Sequence, residues 1–335
     1  PWGAAIDFRQ RPVRDFFIEN ALYWMEEFRF DGLRFDAVHA ILDDSNEHIL
    51  TEIARRVRAA MTDRPVHLIL ENDKNEARHL GQPYYDAQWN DDVHHVFHVL
   101  VTGETGGYYS DYTDDPLARL GTCLTQGFDY QGQPSAHHGG EPRGEPTTGL
   151  PLTAFVNFTQ NHDQIGNRAF GDRLATLAPA PMLSLLRATL LLSPSIPLLY
   201  MGEEWGSTTP FLYFCDFGGE LADLVREGRR KEFASFPEFA DPAMRERIPD
   251  PNAPEAFALS RLAWDDLVRV PHATAHGETR HLLTLRHQHL VPLLSLGLIR
   301  AAFHRTGEHG LDLHWHSTNG QVWHMRLNIG KTPLA

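Results

Sequence analysis

The 335-residue sequence is poor in cysteine and in basic side chains. Its two cysteines, Cys123 and Cys215, cannot form a disulfide framework and indicate a reducing, cytoplasmic location. Thirty Lys and Arg residues stand against 44 Asp and Glu residues, so the formal net charge is −14. Because this charge repels phosphate groups, nucleic acid and anionic membranes are excluded as expected partners, whereas a neutral sugar meets no such repulsion.

Long apolar runs and several common motifs are also missing. No run approaches the ~18 residues of a membrane span, and the longest candidate, residues 185–199, is interrupted by Arg187, Pro194 and Pro197. The sequence has no G-x-G-x-x-G, G-x-S-x-G or H-E-x-x-H motif and no phosphate loop. No cofactor and no metal are expected, because the neighbouring His94, His95 and His98 are explained by chance in a chain with 20 histidines.

Apolar periodicity predicts strands alternating with helices. Strands are expected at residues 33–38, 66–70, 84–89, 154–158 and 196–201, and a buried helix at 183–192. A first helix follows Pro12, with a buried stripe of Val13, Phe16, Phe17, Ala21, Trp24 and Phe28, and Asp44 or Ser45 caps a second one. This alternation predicts a parallel α/β sheet, closed as a barrel or doubly wound; the missing dinucleotide motif weakens the second alternative.

The remaining segments differ from this pattern. Residues 102–149 are rich in Gly, Tyr, Pro and Asp and predict a long loop with one short helix near 116–124, irregular and mobile after residue 131. In the tail, alternating apolar residues flank Asn319-Gly320, which predicts a hairpin. We therefore expect part of a barrel domain at residues 1–297 and part of a small antiparallel β-domain at 298–335.

Three short acidic motifs each place a carboxylate just after an apolar run. The motifs are Asp31–Asp36, Leu68–Asp73 and Phe158–Asp163. A barrel carries its chemistry on the loops at the carboxyl ends of its strands, so these carboxylates are expected to meet there. Asp36, Glu71 and Asp163 are therefore the candidate catalytic set. A single carboxylate at a strand end is usually a helix cap or a surface ion pair. The prediction of a catalytic set therefore depends on the presence of all three carboxylates.

Paired carboxylates are what the cleavage of a glycosidic bond requires. Arg34 and Asp36 share one face of their strand, and the guanidinium would keep the carboxylate ionised, as a nucleophile needs. Partial burial of Glu71 would raise its pKa, as a general acid needs. Two carboxyl groups ~5–5.5 Å apart imply retention of configuration, and ~6.5–9.5 Å implies inversion. Spacing in the sequence leaves that choice open.

At these residues the chain resembles the alpha-amylase superfamily of glycoside hydrolases. The segments that carry the likeness include 32–39, 71–75, 88–95, 106–112, 161–168, 201–205 and 228–233. The resemblance implies a (β/α)8 barrel, a retaining mechanism and an α-glucan substrate. It also implies that Asp36 is the nucleophile, Glu71 the acid/base and Asp163 the transition-state stabiliser.

The same resemblance implies two substrate-binding residues, and the position of three further residues beside the catalytic set indicates the others. Arg34 would orient Asp36, and His162 would touch the sugar at the cleavage point. His39 and Gln164 would donate or accept hydrogen bonds to sugar, although His39 could equally be a core histidine. Asp73 would face the leaving glucose units, with an ordinary loop carboxylate as the alternative.

Within the superfamily, the chain is most similar to the members that act on maltooligosyl trehalose. That similarity implies hydrolysis of the α-1,4 bond next to a terminal trehalose unit, with release of trehalose. A branching or debranching enzyme and an inactive glucan-binding fragment remain as alternatives.

The chain has no counterpart of the family motif on the third barrel strand, and Pro1-Trp2-Gly3 resembles the loop after that strand. We therefore expect an N-terminally truncated chain with about the last five strands of the barrel, whose activity alone is doubtful. Its oligomeric state is left open.

Overall fold

The computed structural model describes residues 4–235 and 239–331. The strands are β1 (Gly32–Phe35), β2 (His67–Leu70), β3 (Ala87–Trp89), β4 (Gln133–Pro134), β5 (Pro142–Arg143), β6 (Phe155–Phe158), β7 (Ile196–Leu198), β8 (Leu298–Thr306), β9 (Gly310–Ser317) and β10 (Val322–Asn328). The five strands predicted before residue 202 all form, each within a few residues of its expected bounds.

The helices fill the intervals between these strands. They are α1 (Arg11–Glu26), α2 (Ile49–Ala60), α3 (Asp91–Thr102), α4 (Pro116–Gln126), α5 (His162–Gly166), α6 (Leu174–Leu177), α7 (Ala180–Leu192), α8 (Gly219–Glu232), α9 (Pro242–Glu246), α10 (Pro254–Leu259), α11 (His272–Leu285) and α12 (Val291–Ser295). Among the residues described, none of these helices combines the length and the apolar character that crossing a membrane requires.

The main sheet is parallel and its strands follow chain order. β1 pairs with β2, β2 with β3, β3 with β6 and β6 with β7. A doubly wound sheet reverses its strand order at one point, whereas neighbouring strands of a barrel follow one another in sequence. The order seen here is therefore that of a barrel-type sheet, and closure with eight strands remains an expectation from the family resemblance.

The predicted buried stripe of α1 is wrong in part. Phe16, Trp24 and Phe28 are 66%, 37% and 52% exposed, and Phe28 lies beyond the end of the helix. Ala21 is buried as predicted, and the rest of the buried apolar face is formed by Ile18, Leu22 and Met25. In the described ranges β1 pairs on one side only, with β2, and the aromatic side of α1 has correspondingly little packed against it. The second helix also begins later than expected, at Ile49, with His48 rather than Asp44 or Ser45 as its N-cap.

The predicted hairpin forms the last two strands of an antiparallel sheet ordered β8-β9-β10. The apolar side chains of Leu311, Leu313 and Trp315 are buried in the same core cluster as residues of α3 and α4. The Trp315 indole Nε1–H donates to the Leu124 carbonyl at 3.1 Å. Gly121 lets the Phe303 ring pack directly on α4, because a Cβ there would lie 2.4 Å from the ring. Residues 332–335 lie outside the described part.

The segment after residue 131 is more ordered than predicted. β4 and β5 pair in an antiparallel hairpin, and Arg143 at its end is buried. The Arg143 guanidinium donates to the Asp92 carboxylate at 2.6 Å and to the Asp73 carbonyl at 2.7 Å. The segment is therefore tied to the loop after β2 and to the start of α3, at the carboxyl edge of the sheet.

Candidate active site

The first two acidic motifs lie side by side because their strands are paired in register. Phe35 stands opposite Leu70, and the Glu71 N–H donates to the Phe35 carbonyl at 2.9 Å. The Val38 N–H in turn donates to the Glu71 carbonyl at 3.1 Å. Asp36 and Glu71 therefore follow adjacent strands at the same edge of the sheet, as the sequence predicts.

Arg34 joins the two carboxylates. Its guanidinium contacts the Asp36 carboxylate, and its Nη2 lies 3.0 Å from Glu71 Oε2 in an ion pair. The guanidinium also stacks over the Trp89 ring, 4.1 Å from the ring centroid, which fixes its position from β3. The side chain of Asp36 is 77% exposed, whereas that of Glu71 is 18% exposed. The two groups thus meet different environments beside one cation.

The backbone at Ala37 adds a further contact to Glu71. Ala37 adopts a left-handed conformation with φ 44° and ψ 44°, which is uncommon for a residue with a Cβ. Its N–H donates to Glu71 Oε2 at 2.6 Å. Unfavourable backbone conformations of this kind concentrate at functional sites, where the surrounding structure holds them. Here the conformation aims an amide of the Asp36 loop at the second carboxylate.

Asp163 reaches the site from β6 through the start of α5. The Asn161 side chain caps that helix by accepting the N–H of Asp163 at 2.8 Å, which orients the turn. The Tyr213 hydroxyl donates to Asp163 Oδ1 at 3.1 Å. His162 Nε2 lies 3.5 Å from Asp163 Oδ2, and the His162 ring stands edge-on to Trp89 at 6.0 Å.

A cleft of about 270 Å³ brings most of the predicted site residues together. Its lining comprises His39, Glu71, Asp73, Asp91, His95, Tyr108, Asp111, Tyr112, His137, His138, Arg143, Asp163, Gln164 and Asn167. Asp36 and Arg34 line an adjoining cavity between α1 and β1, and the Arg34 ion pairs connect the two spaces. Two of the three candidate catalytic carboxylates thus share one cleft, and the third borders it through Arg34.

The electrostatic environment distinguishes Glu71 from an ordinary surface carboxylate. Burial raises the pKa of Glu71 above its usual value. The Ala37 N–H and the Arg34 guanidinium act in the opposite direction, and the negative charges of Asp163 and Asp36 raise the pKa further. The mutual influence of the three carboxylates reflects their proximity, and a raised pKa is what a proton donor requires.

Three of the five predicted substrate-binding residues, His39, Asp73 and Gln164, line this cleft, whereas Arg34 and His162 do not. His39 Nδ1 accepts the Asp73 N–H at 3.4 Å and lies 3.4 Å from Asp73 Oδ1. Asp73 Oδ1 and Gln164 Oε1 are buried atoms with no hydrogen-bond partner among the described residues. A buried acceptor without a partner costs free energy, so both atoms favour a ligand whose hydroxyl groups can donate hydrogen bonds to them.

The sequence pattern did not reveal Asp91, which lines this cleft, or Tyr213, which contacts the cleft residue Asp163. Burial raises the pKa of Asp91 to about 7, with Arg143 opposing and Glu71 adding to the shift. Asp91 is the first residue of α3, where a carboxylate is usually explained by the helix dipole, and this explanation hid its place in the cleft. Tyr213 lies 50 residues from Asp163 in a loop, and no periodic signal marked it.

The cleft offers carboxylates and hydroxyl partners rather than a metal centre. Across residues 4–235 and 239–331, the His, Cys, Asp and Glu side chains of the cleft do not converge in a group that could hold an ion. Of the three neighbouring histidines, His95 lines the cleft, whereas the buried His94 and His98 stack on Phe158 and Tyr109. The titratable groups that the cleft offers include the carboxylates of Glu71, Asp91 and Asp163.

Comparison with known proteins gives three informative likenesses. Malto-oligosyltrehalose trehalohydrolase from Mycobacterium tuberculosis strain H37Rv is 39% identical over 302 residues, covering 86% of this chain and 50% of that protein. The protein of the same name from Deinococcus radiodurans is 39% identical over 289 residues, covering 86% and 47%. This chain thus spans about half the length of the curated relatives it matches.

The third likeness is a crystal structure from Salmonella typhimurium, provisionally named an alpha amylase. It is 46% identical with a TM-score of 0.91, and the match covers 99% of this chain and 56% of that one. No family model matches the sequence. The likeness to the Salmonella structure shows a TIM-barrel-type fold.

Proposed function

Because this chain is related to the malto-oligosyltrehalose trehalohydrolases and shares the fold of an alpha-amylase-type structure, we propose that its whole protein is a retaining α-glucan hydrolase. The bond cleaved is the α-1,4 bond next to a terminal trehalose unit, and the products are trehalose and a maltooligosaccharide. One observation supports the proposal most strongly. The Glu71 carboxyl, whose pKa is raised, lines the same cleft as Asp163, and Arg34 contacts both Glu71 and Asp36.

The first step assigns one carboxylate to attack and one to proton donation. Asp36 Oδ forms a bond to the anomeric carbon while the bond from that carbon to the trehalose oxygen breaks. Glu71 gives its proton to the departing oxygen, so trehalose leaves as a neutral alcohol. Arg34 places a positive charge beside Asp36 during the attack, and its contact with Glu71 fixes the direction of both groups.

The second step releases the glucan. Glu71, now a carboxylate, accepts a proton from water as the water oxygen attacks the anomeric carbon, and the bond to Asp36 breaks. Positive charge develops on the sugar ring in both steps, and the Asp163 carboxylate stabilises it. Tyr213, which donates to Asp163, holds that carboxylate in place.

The leaving trehalose is neutral and rich in hydroxyl groups, which matches the cleft beyond Glu71. Asp73 and Gln164 present buried acceptor atoms without partners, and His39 lies beside Asp73. Arg143 ties the Asp73 carbonyl to α3, so the loop that carries Asp73 is held against the cleft wall. Hydroxyl groups of the substrate would satisfy the unpaired acceptors.

The proposal is tested with the full-length parent protein and maltooligosyl trehalose. We expect free trehalose as a product, and proton NMR of early time points should show the new reducing end as the α-anomer. A β-anomer would contradict the retaining mechanism. Equal processing of maltooligosaccharides without trehalose would favour a branching or debranching enzyme. Binding of the substrate without any turnover would favour a glucan-binding protein.

A further inference from the structure

The outward face of the β8-β9-β10 sheet carries a cluster of imidazoles that the cleft chemistry does not use. In β9 the apolar residues Leu311, Leu313 and Trp315 point to the core, so Asp312 and His314 lie on the opposite face. His324 on β10 stands directly across from His314 in the register of the two strands. None of these polar residues lines the catalytic cleft.

The three polar side chains converge on one point. His314 Nε2 lies 2.9 Å from Asp312 Oδ1, and His324 Nε2 contacts the same carboxylate oxygen. The two imidazole rings are parallel within 6°, with their centroids 4.4 Å apart, so both Nε2 atoms face the same side. One ligand atom from each of the three residues lies within 4.8 Å of the other two.

Two imidazoles and a carboxylate are a set that divalent transition metals prefer. Zn²⁺ binds imidazole nitrogen and carboxylate oxygen at about 2.0–2.2 Å, and a tetrahedral arrangement spaces its ligand atoms about 3.4 Å apart. The side chains of His314 and His324 are 32% and 44% exposed. They can therefore move apart by the up to about one ångström that an ion requires, and water can complete the coordination.

The sheet geometry holds the set before any ion arrives. Asp312 and His314 are two apart on one strand, and His314 and His324 form a cross-strand pair, so the backbone hydrogen bonds of β9 and β10 fix all three positions. Arg326 opposes the binding of a cation here, because its Nε lies 3.4 Å from Asp312 Oδ2 and competes for the carboxylate. His304 stands opposite Asp312 on β8, with its ring 6.3 Å from that of His314.

We propose that Asp312, His314 and His324 form a binding site for a divalent transition-metal ion, with Zn²⁺ as the best match. The ion clamps β9 to β10 from the outer face of the sheet. The role is structural and separate from the cleft. The proposal does not rest on the proposed function, because the ligand atoms lie outside the residues assigned to it.

The test is a calorimetric titration of the chelator-treated protein with Zn²⁺, repeated with Co²⁺ and followed by visible absorption. We expect one ion per chain in the tighter binding phase, an absorption band of Co²⁺ in a low-coordinate nitrogen and oxygen environment, and a higher melting temperature with Zn²⁺. Absence of a stoichiometric phase, or a melting temperature unchanged by Zn²⁺, would overturn the proposal.

Variants assign the ligands. His324→Ala and Asp312→Asn should each weaken Zn²⁺ binding by more than the about 10–100-fold that loss of a supporting hydrogen bond costs. His316→Ala is the matched control, since it removes an imidazole from the same strand and the same face. Because the chain has 20 histidines, equal losses in His316→Ala and His324→Ala would reveal general histidine binding and refute the site.

A gain-of-affinity variant tests the arrangement from the other direction. Arg326→Gln removes the competing cation beside Asp312 and should tighten Zn²⁺ binding by about fivefold, the effect of a unit charge at this distance in water. All substituted positions face solvent on a sheet whose core stays intact, and circular dichroism verifies the fold of each variant. Weaker Zn²⁺ binding by Arg326→Gln would contradict the assigned geometry.

Discussion

The Arg34 guanidinium lies 3.0 Å from the Glu71 carboxylate on the neighbouring strand and at the same time contacts Asp36. One cation thus touches both carboxylates of the proposed double displacement. Stacking on Trp89 limits its movement, so the relative position of the two carboxylates depends on three adjacent strands. The site is therefore sensitive to a side chain that takes no part in bond making.

Replacement of Glu71 by Gln should nearly abolish turnover and leave substrate binding largely intact. The amide has the size of the carboxyl but no proton acidic enough for transfer to the leaving oxygen, and a positioned acid/base contributes about 10²–10⁴-fold to the rate. Single-turnover rates and equilibrium binding of maltooligosyl trehalose to the full-length variant measure the two effects separately. Glu19→Gln, on the exposed side of α1, is the matched control. Turnover surviving in E71Q would show that another group is the acid.

Replacement of Arg34 by Met should move the pH profile as well as lower the rate. The guanidinium lowers the pKa of Glu71 against the effect of burial, so its removal raises that pKa further. A general acid works while it is protonated, and the alkaline limb of kcat/KM should therefore shift to higher pH. We expect a rate loss of about 10²-fold from the misplaced carboxylates. Arg56→Met, which removes an exposed partner of Glu19, should leave the profile unchanged. A limb that moved to lower pH in R34M would contradict the assignment.

Replacement of Arg143 by Met should destabilise the fold strongly. Arg143 and Asp92 are both buried, and the carboxylate also accepts the Tyr112 hydroxyl at 2.6 Å and the Tyr130 N–H at 2.9 Å. Removing the guanidinium leaves a buried charge without its counter-ion, at a cost of about 3–5 kcal/mol. Urea unfolding measures the loss. Arg55→Met breaks the exposed pair with Glu47 and should cost about 0–1 kcal/mol. Equal losses of unfolding free energy in both variants would mean that the buried pair contributes no more to stability than the exposed one.

Glu203 should make the protein less stable as the pH rises. Burial raises the pKa of Glu203 to about 7, while the Thr159 hydroxyl and the Tyr200 N–H lower it. The folded state then binds more protons than the unfolded state between about pH 4.5 and pH 7, so stability falls across that range. Glu203→Gln should remove this dependence and be more stable than the unaltered protein near pH 8, by about 1–3 kcal/mol.

Thermal unfolding at about pH 5 and pH 8 measures the effect at Glu203. Glu204→Gln, which removes the same charge one residue away, should preserve the difference between the two pH values. If E203Q were less stable than the unaltered protein at the higher pH, the Thr159 and Tyr200 contacts would outweigh the burial of charge.

Where the sequence predicts the site well, short-range geometry decides the outcome. Arg34 and Asp36 share a face because strand side chains alternate, and Glu71 comes directly after the short apolar run Leu68-Ile69-Leu70, which is typical of a buried strand. The parallel sheet followed from the alternation of elements. With these regularities, the sequence predicted which side chains leave the same edge of the sheet.

The features that were missed depend on long-range packing. The Ala37 amide meets Glu71 through a left-handed backbone that no pattern announces, and Tyr213 reaches Asp163 from a distant loop. Asp91 has the sequence signature of an ordinary helix start. The α1 stripe was assigned by periodicity, which identifies an apolar face but not the amount of protein that covers it.

The two indole hydrogen bonds of the last sheet have a consequence for unfolding. Trp315 donates to the carbonyl of Leu124 in α4, and Trp323 donates to that of Leu192 in α7 at 2.8 Å. The last four carbonyls of a helix have no partner within the helix, and both of these carbonyls belong to that group. Unfolding of the sheet would therefore leave the Leu124 and Leu192 carbonyls without these hydrogen bonds. Heating should accordingly melt sheet and helices in a single calorimetric peak, with near-ultraviolet and far-ultraviolet dichroism changing together.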